Sequence, residues 1–538
     1  MHVSTDDLAG RFIIAKDRVL KLRSPATYSL AQQSFADCID SHPRCPAPED
    51  STLPTRIIDC LDPDNPKLHI SRGGTGRYAA LSYVWGESQP YRTTTTNVDA
   101  YTLRIDPALL PQTIKDGIKA THTYGVRYLW VDALCILQDS DDDKAREIAR
   151  IRTIFRHSYF TIIAASAQKV SDGFLHDRSP SSRHDIALPF PCPESDEVGT
   201  MVLSPVWQQY DASAEPVNQR AWCLEERLLP ARAFVYASRT LQFQCQTSIV
   251  NVGDAVCGPM IGQRLPDLLF SADASEEHIA LTAADHRALR WAWSEAVGDY
   301  TRRTVTKPGD KLVAFAAIAE LFQCAWRTEY LAGLWRPTLL RELLWAKNYE
   351  GRAPRPTRYR APSWSWAAVD GHVVASLLDD RLSAEVGGAV QSCEVVECDA
   401  VPATSLLPLG KVLSGTLRLR AGMVKATWDP DAQMPGLYGA VDTREEATVS
   451  SPRAASPARE TTQIGCAYPD STEDGREIWA VPVLWNEVEK YAAGLIIASA
   501  AVEGSYRRVG YFHSPEPDET CDGLSGVLGQ ERREITII

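Results

Sequence analysis

Tyr78-Ala79-Ala80-Leu81-Ser82-Tyr83-Val84-Trp85-Gly86 is an apolar run too brief for a helix and closed by a chain breaker. It reads as a buried β-strand. Leu110-Pro111 then opens a helix expected to reach Thr123, with proline tolerated in its first turn. Gly125 ends that helix, and Tyr128-Leu129-Trp130-Val131-Asp132 reads as a second buried strand. Asp141-Asp142-Asp143 caps a further helix, its acids at the positive end of the dipole. Ile148, Ile151, Ile154 and Phe155 recur at helical spacing on the inner face of that helix. Phe160-Thr161-Ile162-Ile163-Ala164-Ala165 is a third buried strand. Strands alternating with helices predict a wound α/β sheet in which these three strands run parallel. Ligands of such sheets sit beyond the carboxyl ends of the strands. Ser82 to Glu87, Asp132 to Asp139 and Ser166 to Lys169 should therefore face one crevice.

A second stretch bears on chemistry rather than fold. Arg220-Ala221-Trp222-Cys223-Leu224-Glu225-Glu226-Arg227-Leu228-Leu229 sets two adjacent carboxylates beside a tryptophan, between arginines, in an otherwise apolar helical run. Either the acids reach solvent on an outer face, or one of them lines a pocket as a working acid. Two neighbouring acids also raise the prospect of a perturbed pKa. Trp85-Gly86-Glu87 offers an aromatic face, a residue permitting close backbone approach, and a carboxylate. The bland alternative is that Trp85 packs the end of the sheet while Gly86 turns the chain. Asp132 stands at an equivalent strand end, where an acid either caps the next helix or serves a site.

The ordered set of these blocks, with Leu110-Pro111-Gln112-Thr113-Ile114, Phe160 to Ala167 and Ala361-Pro362-Ser363-Trp364-Ser365-Trp366-Ala367, resembles the fungal HET (heterokaryon incompatibility) domain family. The strict motifs span about Tyr78 to Leu229, and weaker family-like segments continue towards the C-terminus. The Trp222-Cys223-x-x-Glu226 helix is in addition similar to the Trp-Cys-x-x-Glu helix of TIR domains. There the glutamate drives cleavage of the nicotinamide–ribose bond of NAD. The resemblance thus implies Glu226, with Glu225 beside it, as the catalytic acid. Tyr83, Trp85, Gly86, Asp132, Arg220 and Trp222 are implied as substrate-binding residues. NAD is implied as a substrate and no cofactor as a requirement. Glu225 stands where the HET pattern commonly has glutamine, which leaves open whether the family's site works here unaltered.

Three functional classes follow from the resemblance. The first is an effector of non-self recognition and programmed cell death, acting by NAD hydrolysis. The second is a cofactor-independent cyclase of fungal secondary metabolism, of the kind that catalyses Diels–Alder reactions in terpenoid or polyketide pathways. Such an enzyme needs a shaped apolar pocket and a few hydrogen-bond donors. The third is a non-catalytic interaction module. No ankyrin, nucleotide-binding or coiled-coil module is recognisable beside the motif blocks, and the first class is ranked ahead because the motif set carries it.

Composition bounds these readings. A chain of 538 residues with a net charge of -13 argues for several domains and against unspecific binding of nucleic acid. The expected division is a lead-in over residues 1–76, an α/β HET domain over 77–230, a helical extension completing the HET region over 231–371, and a β domain over 372–538. The last segment alternates as in Gly415-Thr416-Leu417-Arg418-Leu419-Arg420, which predicts a barrel or sandwich. A mobile insertion is expected near 442–462. Apolar faces at Trp291, Trp293, Ala314 to Leu321 and Leu331 to Trp345 make residues 280–350 helical by expectation.

The 13 cysteines are scattered without CxxC pairs, so neither a disulfide framework nor a zinc site is expected. Cys135 reads as a small buried hydrophobe. Ser82 and His122 are not expected to form a nucleophile and base, since no elbow motif surrounds Ser82. Gly73-Gly74-Thr75-Gly76 precedes a strand and reads as a hairpin-type turn rather than a phosphate loop. Trp364 and Trp366 are expected in the core, and Tyr491 to Val502 as a buried strand rather than a membrane span. The N-terminus lacks a signal-peptide profile. The cytoplasm, with the nucleus as alternative, is the expected location. A small-molecule ligand in the crevice is the expected partner, with no membrane; self-association stays open.

Overall fold

The three apolar runs form strands that lie side by side and parallel. In this computed structural model every residue is described except 5–6, 179–185, 204–210, 256–263, 275–279, 349–352, 375–388, 429–434, 441–460, 473–476, 489 and 515–526. The chain divides into two units, Met1–Ser271 and Ala272–Ile538.

The first unit is built on strands β1 (Arg56–Asp59), β2 (Lys67–Ile70), β3 (Tyr78–Ser82), β4 (Tyr128–Trp130), β5 (Phe160–Ile163), β6 (Arg232–Tyr236), β7 (Leu241–Cys245) and β8 (Ile249–Asn251). Their order across the sheet is β8-β7-β6-β5-β3-β4-β1-β2. At the centre, β3 is parallel to both neighbours, with Ala80 opposite Trp130 on one side and Thr161 on the other. Strand β6 extends this parallel set through Phe234 opposite Ile162. The sheet as a whole is mixed, which corrects the expectation of a parallel one. Strand β1 pairs antiparallel with β4 and β2, and β7 pairs antiparallel with β6 and β8. Short connections from β1 to β2 and along β6 to β8 permit only antiparallel neighbours, whereas the central strands are linked through helices. The sheet thus draws strands from both sides of residues 77–230.

The helices of this unit include α1 (Pro25–Ser41), α2 (Gln112–Thr123), α3 (Asp132–Cys135), α4 (Asp141–Ile148), α5 (Ile151–Arg156) and α6 (Trp222–Leu228). The single helix expected from Asp141 onward is divided at Ala149–Arg150 and capped by the Ser140 hydroxyl, which accepts from the Asp143 amide at 3.2 Å. Asp143 is instead buried in an ion pair with Arg56. Side chains alternate across β6 as the pleat requires. Phe234 packs on one face against Phe35 of α1 and Tyr124, the latter ring stacked at 4.5 Å. Ala233 and Val235 face the other way and join Val84, Ile163 and Cys223 in a second apolar cluster. That second cluster sits under α6 and carries the candidate site. The Gly73 region forms a tight turn, closed by the Gly74 amide on the Ser71 carbonyl at 2.9 Å, but not the expected hairpin, because Thr75–Gly76 pairs with Ser51–Thr52 instead of the strand before the turn.

In the second unit, α7 (Ala283–Arg302) opens with a capping box between Thr282 and Asp285. With α8 (Ala316–Trp326) it buries Trp293 among Phe315, Phe322 and Trp335, centroids 5.1 to 5.3 Å away. Trp291 does not share that role and is 54% exposed. Nor is the stretch from Leu331 to Trp345 helical throughout. Tyr330–Leu331 pairs with Leu334–Trp335 about Ala332 and Gly333, which both take positive φ. Only the turn Leu339–Glu342 is α-helical there. A side chain at Gly333 would meet the Trp366 ring at 2.6 Å, and its carbonyl accepts from Trp366 Nε1 at 2.8 Å. Trp364 and Trp366 are both buried, as expected.

The main strands of the β domain are β9 (Glu394–Pro402), β10 (Val412–Ala421), β11 (Val424–Thr427), β12 (Gly436–Ala440), β13 (Thr461–Pro469), β14 (Ile478–Asn486), β15 (Tyr491–Ser499), β16 (Ser505–His513) and β17 (Arg533–Ile537). Strands β11, β12, β13, β16, β15 and β14 pair in a closed antiparallel ring, so the β domain is a barrel. Its interior holds Val424, Leu437, Ile464, Ile496 and Phe512. Strands β17, β10 and β9 continue outward from β16. Strand β15 is the buried strand expected over Tyr491 to Val502. The expected insertion at 442–462 falls almost wholly outside the described residues. No helix among the described residues is long and apolar enough to cross a membrane.

Candidate functional site

The loop leaving β3 and the start of α3 meet at the carboxyl ends of the parallel strands. Asp132 is the first residue of α3, where its carboxylate also faces the positive end of that short helix. Its Oδ1 accepts from the Tyr83 hydroxyl at 2.8 Å and from the Ala133 amide at 2.7 Å, and its Oδ2 accepts from Trp85 Nε1 at 2.8 Å. Burial raises the Asp132 pKa, against the lowering effect of the Tyr83 and Trp85 donors and of Arg220. Burial likewise pushes the Tyr83 phenol far up, with Asp132 adding to the shift. Tyr83 and Trp85 are thus fixed by one acid, and the Trp85 ring stays partly exposed.

Arg220 and α6 complete the same corner. Arg220 Nη1 donates to the Tyr83 carbonyl at 3.3 Å, and the Cys223 thiol lies 3.8 Å from that carbonyl. Burial acts to lower the Arg220 pKa, but Cys223, Glu226, Asp132 and Tyr83 together hold it above the ordinary value. Glu226 sits one helical turn beyond Trp222, on an apolar sheet face. Burial, with a smaller contribution from Asp132, raises its pKa to about 7 against the lowering effect of Ser82, Arg220 and Cys223. The fully buried Ser82 Oγ and Glu226 Oε2 nevertheless have no hydrogen-bond partner among the described residues. The two groups lie close enough for Ser82 to act on the Glu226 carboxyl but form no well-shaped hydrogen bond, and a bound polar ligand can complete both. Glu225, turned about 100° away along the helix, is 1% exposed and faces different surroundings.

Gly86 and Glu87 do different work from the residues around them. Gly86 has φ +64°, and a side chain there would lie 2.5 Å from the Gln168 carbonyl oxygen. Glu87 accepts from the Ser171 amide at 2.9 Å, and Val170 N–H donates to the Trp85 carbonyl at 3.0 Å. These contacts join the β3 loop to the segment after β5, so the three expected strand ends do come together. Cys135 is buried and His122 Nδ1 contacts the Cys60 carbonyl at 3.1 Å, both away from nucleophilic roles.

Two further groups drew no attention in the sequence. In the second unit Glu342 lines a cleft with Trp293, Gly333, Arg341, Trp345 and Trp366, and burial raises its pKa to about 8. Both of its oxygens are engaged, one by the Trp335 amide at 2.9 Å and the other by the Thr338 hydroxyl, which marks it as a fastening of the hairpin. In the first unit Cys38, His42, Cys45 and Cys245 gather their ligand atoms within 4.8 Å of one another. The spacing Cys38-x-x-x-His42-x-x-Cys45 is a signal in hindsight, but its fourth member lies 203 residues beyond His42.

Against known proteins, residues 78–226 match the family model described as Heterokaryon incompatibility protein (HET). No curated protein and no solved structure matches the chain. The matched segment begins at the first residue of β3 and ends on Glu226.

Proposed function

We propose that this is a HET-domain protein of the heterokaryon incompatibility type and that the strand-end corner of its first unit cleaves the nicotinamide–ribose bond of NAD, with Glu226 as the catalytic carboxylate. One observation carries this reading. Glu226 holds a carboxyl with one unpartnered oxygen and a pKa of about 7, at the carboxyl ends of the parallel strands. Near neutral pH a large fraction is therefore ionised yet poorly solvated, the state in which a carboxylate best offsets a nearby cation.

In the proposed reaction the bond between ribose C1′ and the nicotinamide nitrogen breaks, and its electron pair leaves with neutral nicotinamide. Positive charge builds on the ribose and is offset by Glu226, as in glycoside hydrolysis. Water then adds to C1′ and gives up one proton, for which Glu226 is the nearest base of suitable pKa. Arg220 and Asp132 act as positioning residues. Arg220 keeps Glu226 partly ionised, while Asp132 fixes Tyr83 and the Trp85 ring. The partly exposed Trp85 and Trp222 rings offer aromatic faces for a base.

The raised pKa supports a second reading as well. A protonated Glu226 in an apolar corner is a hydrogen-bond donor to a carbonyl, which is what the cofactor-independent cyclase needs. Glu226→Gln separates the two. An amide keeps a donor but cannot offset a cation, so it should preserve cyclisation and remove NAD cleavage. The direct test is purified protein incubated with NAD and assayed for free nicotinamide by chromatography. Release that depends on Glu226 supports the hydrolase. Absence of release, where a known NAD hydrolase is active under the same conditions, overturns it in favour of the cyclase or an interaction module.

A further inference from the structure

We propose that Cys38, His42, Cys45 and Cys245 form a structural zinc site that ties the N-terminal helix to the edge of the sheet. Cys38 lies in the last turn of α1, His42 is the residue that ends the helix, and Cys45 follows in a turn closed by its amide on the His42 carbonyl at 3.0 Å. Cys245 is the last residue of β7. Three sulfurs and an imidazole nitrogen thus arrive from two separate parts of the chain. The four ligand atoms lie within 4.8 Å of one another, with His42 Nδ1 3.3 Å from Cys245 Sγ. A tetrahedral zinc ion with bonds of about 2.0 to 2.3 Å sets its ligands roughly 3.5 to 3.8 Å apart, so a small contraction of this group suffices.

The donor set selects the metal. Three thiolates and one imidazole in a tetrahedral group suit zinc, whereas calcium and magnesium take oxygen ligands. All four positions are filled by protein, leaving none for substrate, which is the signature of a structural rather than a catalytic centre. The surroundings fit a set of ligating thiolates. Cys38 Sγ accepts from Arg232 Nε at 3.3 Å, Cys245 Sγ accepts from the Ser248 amide at 3.3 Å, and Cys45 Sγ lies 3.3 Å from the Thr247 hydroxyl. Such outer contacts orient ligands and moderate their charge. Three thiolates around a divalent cation leave one net negative charge, which the buried Arg232 balances. A disulfide would engage two of the sulfurs and give the third and the histidine no role. Binding releases the thiol protons to solvent and involves no change of oxidation state.

The site differs in kind from the other cysteines. Cys60 and Cys135 are buried as well, but among the described residues no other group brings three or more such ligand atoms together. The proposal rests on the ligand group alone and is independent of the reaction assigned to Glu226.

The test uses the full-length chain, purified under reducing conditions without chelator, with metal content measured by plasma mass spectrometry. About one zinc per chain is expected. Replacement by Co²⁺ should give the intense visible bands of tetrahedral cobalt with thiolate charge-transfer absorption. Cys245→Ser and His42→Ala should each lose most of the metal, and Cys324→Ser, outside the group, should keep it. Because loss of a ligand can also compromise folding, Cys45→His provides a second arm. It keeps four ligands, so it should retain zinc while its cobalt form loses part of the thiolate charge-transfer intensity. Wild-type protein that carries no zinc and takes up no Co²⁺ overturns the proposal. So does full zinc content in Cys245→Ser, or a Cys45→His cobalt spectrum identical to that of the wild type.

Discussion

Asp470 in the second unit and Glu226 in the first are both carboxylates taken out of water, and they are treated in opposite ways. Asp470 accepts from Arg508 Nε at 3.1 Å, from Arg508 Nη2 at 3.2 Å and from Arg355 Nη2 at 3.0 Å. Arg508, itself fully buried, donates to the Leu343 and Trp345 carbonyls and stacks on the Trp345 ring at 3.3 Å. Burial lowers the Arg508 pKa to about 10, so the cation persists at any physiological pH. Both carboxylate oxygens find arginine donors in place of water, and the result is a joint between the barrel and the segment that precedes it. Glu226 has an apolar sheet face, a half-engaged carboxyl, and an acid and an arginine acting on it in opposite senses. A saturated charge is scaffold. An unsaturated one is held ready for something that is not protein.

This contrast can be broken most forcefully at Asp470. Asp470→Ala leaves Arg508 buried without its partner and should destabilise the protein by about 3–5 kcal/mol in urea denaturation. A loss below about 1 kcal/mol would mean that the ion pair is not scaffold. Glu226→Gln should do the reverse, lowering nicotinamide release by about 10²–10³-fold while leaving the protein at least as stable as the wild type, because it removes a carboxylate that burial penalises. Trp85→Phe sharpens the picture between these extremes. It removes the indole donor to Asp132 Oδ2, so a cost of about 1–3 kcal/mol is expected, with activity reduced through misplacement of the loop.

The smallest expected effect is on pH dependence. Below the ordinary value of 4.5 Glu226 is neutral in both folded and unfolded chains and contributes nothing. As pH rises from 4.5 towards 7 the unfolded chain releases the proton while the folded one retains it, so stability falls with pH through that window. Above 7 the penalty is complete. The melting temperature of Glu226→Gln, relative to wild type, should therefore be higher at pH 8 than at pH 5. Equal offsets at both values would show that Glu226 is solvated like a surface acid.

The central strands were readable because burial on both faces leaves a continuous apolar run, as in Phe160 to Ile163, and because helices separate them. Asp132, Trp85 and Glu226 were readable as a group from their positions at strand ends and on the motif helix. The antiparallel edges were not, since Arg56–Asp59 and Leu241–Cys245 carry no local mark of pairing direction; their short connections decide it. Residues 331–345 keep apolar spacing consistent with a helix, but Gly333 admits a turn against Trp366 that no periodicity announces. Asp470 and Arg508 stand 38 residues apart, and no local pattern around either one marks the pairing. Cys245 meets Cys38 only once β7 is placed in the sheet.

The most direct measurement is nicotinamide release from NAD by full-length protein and by Glu226→Gln at equal folded concentration, with both melting temperatures recorded in the same buffer. The account predicts release by the wild type, its loss in the variant, and a melting temperature of the variant no lower than that of the wild type. Release that survives in Glu226→Gln and in Glu226→Ala, with both variants folded, would contradict it.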